Sequence, residues 1–285
     1  MSRICDEVKA ADKFTVLGAA GFIGSHLVER LRALDAEVLA PTRDQTLTGD
    51  NLGNVIYCIG LTADFRTYPL AAIEAHICRL RQFLQDCEFH SLLYLSSVRL
   101  YGHRAGLARE EDPVTLSSAS FDDLYGISKL MGESMTLFRG KNGRVGRLSN
   151  VYGQDFQSQN FLGSIITEAI TKPEVTIRSS PETEKDYVSI DDAVDALIQI
   201  ALRGQQVVYN IASGVNVSNQ ALAHGIGQLT GCRMTFDPRA AGASFPMISI
   251  DRLRSEFPFQ PRHLLEDLSE LIDGYKQHVA ATSAA

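Results

Sequence analysis

Residues 14–31 read FTVLGAAGFIGSHLVERL, a short apolar strand that breaks at a glycine turn and runs directly into an amphipathic helix. Its glycines, Gly18, Gly21 and Gly24, stand three residues apart. The first permits the tight turn, the second lets backbone approach a phosphate, and the third lets helix and strand pack closely. The unpaired N–H groups and positive dipole end of that helix then offer a seat for a pyrophosphate. Glycine triplets are common. This one follows a strand, opens a helix and lies near the N-terminus, which is the context a dinucleotide site requires.

Outward from that turn, strands and helices alternate. Apolar runs predict strands near 13–18, 36–41, 54–60, 91–96, 144–149, 174–178 and 206–212. Helices are expected near 22–33, 69–86, 123–139, 158–171, 191–203 and 218–230. Several strands are apolar on both faces, so the expected fold class is α/β, a Rossmann-type doubly wound parallel sheet with helices on both sides. Its ligand crevice belongs at the carboxyl ends of the strands. Between Gly18 and Gly60 there is room for a second strand but little for a third strand–helix unit, which predicts a trimmed cofactor lobe. Residues 1–153 are expected to form mainly the dinucleotide-binding domain with the catalytic residues. Residues 154–285 would form mainly a smaller C-terminal substrate-binding lobe, with elements near 185–212 returning to the core. On the helix at 69–86, Ile73, Ile77, Leu80 and Leu84 make one stripe, read as a packing face. The tail from about Gln277 reads as frayed.

The bulk properties exclude several classes. At 285 residues the chain suits one large domain, or one domain with a smaller lobe. A net charge of −7 with dispersed acids leaves no basic excess to neutralise phosphate, so neither nucleic acid nor a membrane surface is an expected partner. The five cysteines (Cys5, Cys58, Cys78, Cys87, Cys232) are an odd set without a CxxC pair, which fits a reducing compartment and gives no support to a metal site. Cys58 and Cys78 lie in apolar segments and read as buried small hydrophobes. The opening MSRICDEVKAAD lacks the apolar core of a signal peptide, and no run reaches the length of a membrane span. The expected location is the cytoplasm.

A second group carries chemistry. Tyr125-Gly-Ile-Ser-Lys129 opens a helix announced by Asp122 and Asp123, either of which could cap it. Four residues is just over one helical turn, so the phenol and the ammonium share a face. The positive charge stabilises phenolate and suits Tyr125 to proton exchange. Upstream, LLYLSSVRLYG (Leu92 to Gly102) is an apolar strand that delivers Ser96 and Ser97 at its carboxyl end. A serine hydroxyl there can donate to a substrate oxygen beside the phenol. Each motif alone is weak; their agreement is the signal.

This ordered set resembles the extended short-chain dehydrogenase/reductase superfamily, in its branch of nucleotide-sugar epimerases, dehydratases and ketoreductases. The resemblance spans nearly the whole chain and rests on Gly18-Ala-Ala-Gly21-Phe-Ile-Gly24, Ser96-Ser97-Val-Arg-Leu-Tyr101-Gly102 and Tyr125-Gly-Ile-Ser-Lys129. It continues through Arg147-Leu-Ser-Asn150-Val-Tyr-Gly153, Lys185-Asp186-Tyr-Val-Ser-Ile-Asp-Asp192 and Val208-Tyr-Asn210-Ile-Ala-Ser-Gly214. It implies hydride transfer between a nicotinamide and a sugar carbinol or ketone carbon. Tyr125 would handle the proton on oxygen and Lys129 the nicotinamide ribose. Counting back four from Tyr101 assigns Ser97, rather than Ser96, to positioning the oxygen. Cofactor contacts are implied at Gly18, Ala20, Gly21, Phe22, Ile23, Gly24, Thr42, Arg43, Ile59, Gly60, Leu61, Tyr125 and Lys129. Substrate contacts are implied at Ser97, Arg99, Asn150 and Lys185, and no metal is expected.

Departures from the family pattern narrow the reaction. Relatives that dehydrate or decarboxylate a sugar carry acids just after the serine, where this chain has Val98 and Arg99. Arginine cannot act as a general base. After the second strand, Thr42 stands where an NAD site wants a carboxylate and Arg43 follows, which favours NADP; NAD is the alternative, since Asp44 is one or two positions late. His76 stands where many relatives carry asparagine. It could order a backbone loop near the nicotinamide, relay protons, or be a satisfied helix histidine. Lys185 resembles an arginine that meets the substrate's phosphates, Asn150 could donate there or make a turn, and Arg252 and Arg262 are further candidates near the C-terminal loops, with solvated surface as their default reading.

The predicted function is an NAD(P)-dependent ketoreductase acting on a nucleotide-activated sugar. One alternative is a nucleotide-sugar 4-epimerase with tightly bound NAD. Another is a dinucleotide-binding sensor without chemistry, which would not need Ser97, Tyr125 and Lys129 together. The helices at 69–86 and 123–139 are the candidate face for a homodimer.

Overall fold

The computed structural model describes residues 8–9, 11–43, 45, 47, 51–61, 65–138, 142–156 and 160–283. The chain opens with β1 (Lys13–Leu17), α1 (Phe22–Ala33), β2 (Glu37–Leu39) and β3 (Asn54–Tyr57). There follow α2 (Pro69–Ile73), a π turn (Glu74–Cys78), α3 (Arg79–Asp86), β4 (Ser91–Ser97) and a 3-10 turn (Val98–Tyr101). Next come β5 (Leu107–Ala108), α4 (Asp123–Phe138), β6 (Gly143–Leu148), β7 (Asn150–Tyr152), α5 (Phe161–Thr171) and β8 (Glu174–Ile177). Then run β9 (Glu184–Ser189), α6 (Ile190–Arg203), β10 (Val208–Ile211), β11 (Asn216–Ser218) and α7 (Asn219–Thr230). The chain closes with β12 (Arg233–Phe236), β13 (Met247–Ile248), α8 (Asp251–Glu256) and α9 (Leu264–Ser283).

Six parallel strands form the central sheet in the order β10-β6-β4-β3-β1-β2. The order reverses between β1 and β3, and that switch point is where a doubly wound sheet opens its crevice. The expected α/β class is therefore met. Among the described residues the sheet ends at β2, in keeping with the trimmed lobe. Helices cover both faces. Leu27 and Leu31 of α1 pack with Val194 and Leu197 of α6 on one side; Leu80 and Phe83 of α3 pack with Val55, Tyr57 and Leu92 on the other.

Residues after 153 hold a further core in which Ile166, Ile177, Leu222, Ile226, Leu268 and Ile272 meet. β10 and α6 belong to the central sheet and its cover, as expected for the span near 185–212. β9 does not: it pairs with β7 and β11 in a sheet of its own. The expected fraying from Gln277 is also corrected, because α9 stays helical to Ser283.

The helix over 69–86 is present but interrupted. Pro69 starts it at a position that needs no N–H donor. The π turn then inserts extra backbone, a device often found at functional sites. Ala75 offers its carbonyl to the Tyr57 hydroxyl at 2.7 Å. The buried face becomes Ala72, Ala75, His76, Leu80 and Phe83, in place of the uniform stripe through Ile73, Ile77 and Leu84. Cys78 is exposed and Cys58 half-buried, contrary to expectation; the buried thiols are Cys87 and Cys232.

Several residues of the sequence signatures are architectural. Arg147 on β6 forms a two-bonded ion pair with Glu133 on α4, at 2.8 and 3.0 Å, and both are buried. Its Nη1 also donates to the Tyr101 hydroxyl at 3.0 Å, which donates in turn to Asn210 Oδ1 at 2.7 Å. Asn210 N–H donates to the buried Glu110 carboxylate at 3.0 Å. Asp186 accepts from Ser213 N–H, Ser213 Oγ and Gly214 N–H, at 2.9, 3.0 and 2.7 Å, so its carboxylate ties β9 to the turn after β10. These bonds fix the strand ends from which the site is built.

Candidate active site

The turn between β1 and α1 has the shape its sequence suggests. Gly18 sits at φ +87°, and a Cβ there would lie 2.9 Å from Ile59 N. A Cβ on Gly24 would lie 2.2 Å from Gly18 O, so only glycine lets α1 approach this closely. Gly21 differs, since a Cβ would meet only Gly18 O at 3.4 Å and the residue faces solvent. It is the N-cap of α1 and provides no side-chain acceptor for the first-turn N–H groups. Those donors suit a pyrophosphate, and the open face at Gly21 leaves room for one. Of the other predicted cofactor contacts, Ala20 and Gly60 are exposed, and Phe22, Ile23, Ile59 and Leu61 are half-buried around this crevice. The glycine assignments lead to opposite expectations for two alanine variants. Gly21→Ala should keep its thermal midpoint and weaken dinucleotide binding, whereas Gly24→Ala should lower the midpoint itself, because backbone must move.

Thr42 and Arg43 lie exposed beyond β2. Arg79, at the start of α3, donates from Nη1 to the Arg43 carbonyl at 3.4 Å and places a second guanidinium under this loop. Asp44 lies outside the described residues.

The predicted catalytic set gathers at the carboxyl ends of β3 and β4. Ser97 is the last residue of β4 and caps the 3-10 turn, its Oγ accepting from Arg99 N–H at 3.2 Å. That leaves its hydroxyl hydrogen available. Ser96 points to the other face of the strand, where its buried hydroxyl has no partner among the described residues. The turn carries the Arg99 guanidinium over the Tyr125 ring, 5.6 Å from its centroid. Phe65 and the edge-on His76 hold the same ring, with centroids 5.0 and 5.5 Å away. Tyr125 is thus buried and packed on several sides, with no protein partner for its hydroxyl among the described residues.

One turn along α4, Lys129 donates from Nζ to the Leu95 carbonyl at 2.9 Å. Burial pushes its ammonium down to about 7, against the opposing pull of Cys58 and Glu133. A Cβ on Gly60 would lie 3.3 Å from that Nζ, which places the lysine directly against the loop after β3. Gly132 seats α4 on the sheet: a Cβ there would fall 2.3 Å from the Tyr94 hydroxyl. Neither expected cap operates. Asp123 accepts from Ser117 N–H, and Asp122 pairs with Arg66.

His76 is fully buried. Burial first, and the Lys129 charge second, hold it down to about 3. The unfolded chain takes up this proton below about pH 6.5, while the native state excludes it to about pH 3. The unfolded state therefore binds more protons in that window, and stability is lost as pH falls through it. At pH 5 the loss from this group is about 2 kcal/mol relative to pH 7. Urea unfolding at both values should show a smaller pH effect in His76→Gln than in the wild type.

Among the predicted substrate contacts, Lys185 Nζ lies 4.6 Å from the Phe161 ring centroid and 5.7 Å from that of Phe245. Burial and then the Arg99 charge depress this ammonium, so the two cations are electrostatic neighbours. The His103 ring lies tilted against Phe245, with centroids 4.7 Å apart. Asn150 donates from Nδ2 to the Asp186 carbonyl at 2.8 Å, and so holds β7 to β9. Arg252 and Arg262 are engaged with acids, Arg252 with Glu110 and Glu111, Arg262 with Asp191, Asp192 and Asp267. Phe65, Phe161, Phe245 and Arg79 escaped the sequence reading, because single side chains in loops and at helix ends carry no periodic signal.

A six-stranded doubly wound sheet, a glycine cradle at its switch point and a Ser–Tyr–Lys set at the strand ends define an extended short-chain dehydrogenase/reductase. A profile described as the NAD dependent epimerase/dehydratase family matches residues 14–68 and 54–212, and the chain belongs to that family. It is 26% identical over 312 residues to a dTDP-4-dehydro-6-deoxy-D-allose reductase from a Streptomyces species, covering 92% of this chain and 96% of that protein. Its fold matches MoeE5 in complex with UDP-glucose and NAD (TM-score 0.78, 24% identity, 94% of this chain and 99% of that one). It also matches RMD from Pseudomonas aeruginosa complexed with NADPH (TM-score 0.77, 19% identity, 94% and 100%).

Proposed function

We propose that this protein reduces the keto group of a nucleotide-activated sugar, drawing on NADPH. The observation that carries this reading is Arg99. It lies over the catalytic phenol at the place where a dehydratase needs an acid for a carbon-bound proton. A permanent cation there restricts the chemistry to hydride at carbon and a proton at oxygen. The dinucleotide supplies the hydride when bound. Tyr125 delivers the hydroxyl proton to the ketone oxygen, Ser97 donates a hydrogen bond to the same oxygen, and Lys129 favours the phenolate left behind. The ketone gains one hydride and one proton and becomes an alcohol. Lys185 offers charge to the diphosphate, and Phe161 and Phe245 wall that side.

Residues 1–153 then hold mainly the dinucleotide, and residues 154–285 mainly close over the sugar nucleotide. Arg43 and Arg79 support NADPH through two guanidinium groups beside the loop after β2. Arg43→Gln should lower the preference for NADPH over NADH about tenfold or more, read from dissociation constants. A homodimer is supported by exposed apolar residues on α2 and α4, namely Leu70, Met131 and Phe138. The four cysteines among the described residues are free thiols, which supports the cytoplasm. Among the described residues no helix is long and apolar enough to cross a membrane.

The decisive experiment follows NADPH oxidation across a panel of nucleotide sugars and their 4-keto derivatives. Oxidation with a 4-keto substrate supports the reading. Purified protein that retains stoichiometric NAD through dialysis and equilibrates C4 epimers would replace it with an epimerase.

A further inference from the structure

We propose that His76 is a positioning residue: a neutral imidazole strap that locks the loop after β3 to the helix bearing Tyr125 and Lys129. The inference rests on the dinucleotide-dependent reading above and deepens it. Leu61 N–H donates to His76 Nε2 at 3.3 Å, which makes Nε2 an acceptor. On the other side of the ring, Nδ1 lies 2.9 Å from Ser128 Oγ. The Ser128 hydroxyl hydrogen is already committed to the Tyr125 carbonyl at 2.8 Å. Nδ1 must therefore carry the proton and donate. The two bonds fix a single tautomer and leave no site for a second proton.

The surroundings point the same way. A Cβ on Gly60 would lie 3.1 Å from His76 Nε2, so the loop is pressed onto the imidazole. The ring edge meets Tyr125, and the ammonium facing His76 is Lys129. The imidazole enters this space because the π turn at Glu74–Cys78 breaks the regular helix, with Ala75 held by the Tyr57 hydroxyl. Gly60 and Leu61 lie at the carboxyl end of β3, beside the switch point where a bound dinucleotide must pass. The strap therefore sets the distance between the cofactor's seat and the proton donor. It transfers no proton itself, which removes the relay role considered for this histidine.

The test compares His76→Phe, His76→Gln and Ser128→Ala with the wild type. NADPH and NADH dissociation constants are measured by titration calorimetry, kcat and KM by turnover, and folding by thermal midpoint. Phenylalanine keeps the ring volume and deletes both bonds. It should weaken dinucleotide binding and lower kcat, each about tenfold or more, and leave the sugar KM nearly unchanged. Glutamine places an acceptor and a donor at similar spacing and should restore most of both. Ser128→Ala removes the helix anchor of the strap together with the bond from Ser128 to the Tyr125 carbonyl, and should lower kcat with a smaller effect on binding; it serves as the second variant if His76→Phe does not fold. The wild type and His76→Gln should share the shape of their pH–rate profiles.

Unchanged binding and kcat in His76→Phe, or an acid limb that vanishes in His76→Gln, would overturn the strap. Absence of rescue by a well-folded His76→Gln would do the same. The binding arm needs no sugar, so a wrong substrate assignment would leave it standing.

Discussion

Tyr125→Phe should lower turnover of every accepted substrate by about 10²–10⁴-fold, the usual value of a positioned proton donor, with dinucleotide binding intact. The substitution removes one oxygen and keeps a ring already held by Phe65, His76 and Arg99, so the fold has no reason to change. The hydroxyl has no protein partner among the described residues, which leaves it free for substrate. Steady-state rates with calorimetric binding of NADPH check the claim. Undiminished turnover would remove Tyr125 from the chemistry and reopen the reading of a binding protein without catalysis.

The largest stability effect is expected at Arg147. Its guanidinium makes two bonds to Glu133, with side chains only 6% and 4% exposed. Burial acts against this cation, but the bonds and charges of Glu133 and Tyr101 hold it firmly in the charged state. Arg147→Met strands the Glu133 carboxylate in the core and should cost about 3–5 kcal/mol. The thermal midpoint would fall by roughly 6–20 °C. The double variant Arg147→Met with Glu133→Leu should recover most of that loss, because no uncompensated charge remains. A double variant as unstable as the single one would show that the pair matters chiefly through Tyr101 and Asn210.

That contrast marks the limit of motif reading. The cradle of Gly18, Gly21 and Gly24 was legible because its glycines answer to local backbone geometry. Tyr125 and Lys129 were legible because one helical turn separates them. Arg147, Tyr101, Asn150 and Asn210 sit in equally distinctive motifs, and every one of them hydrogen-bonds the protein itself. A polar residue at a strand end looks the same in sequence whether it faces a ligand or another strand. The π turn was invisible for a different reason: EAHIC has no composition that separates it from an α-helix, and its extra residue rotated the expected stripe. α9 is a plainer omission, since Leu264, Leu268, Leu271, Ile272 and Tyr275 repeat at helical spacing and are all buried. The strands β7 and β11 are three residues each, too short to show alternation, and β9 (EKDYVS) opens on charged residues and buries its last four in a row.

Among the described residues the central sheet stops at β2, a strand of only three residues, where the standard doubly wound order continues one strand further. On the proposed reading, the adenosine half of a dinucleotide rests beside this edge. Arg43 and Arg79, exposed and half-buried respectively, then offer it two cations there. Attraction between charges in open solvent is weakened by mobile ions, whereas apolar enclosure is not. On that reading, raising the ionic strength should weaken dinucleotide binding.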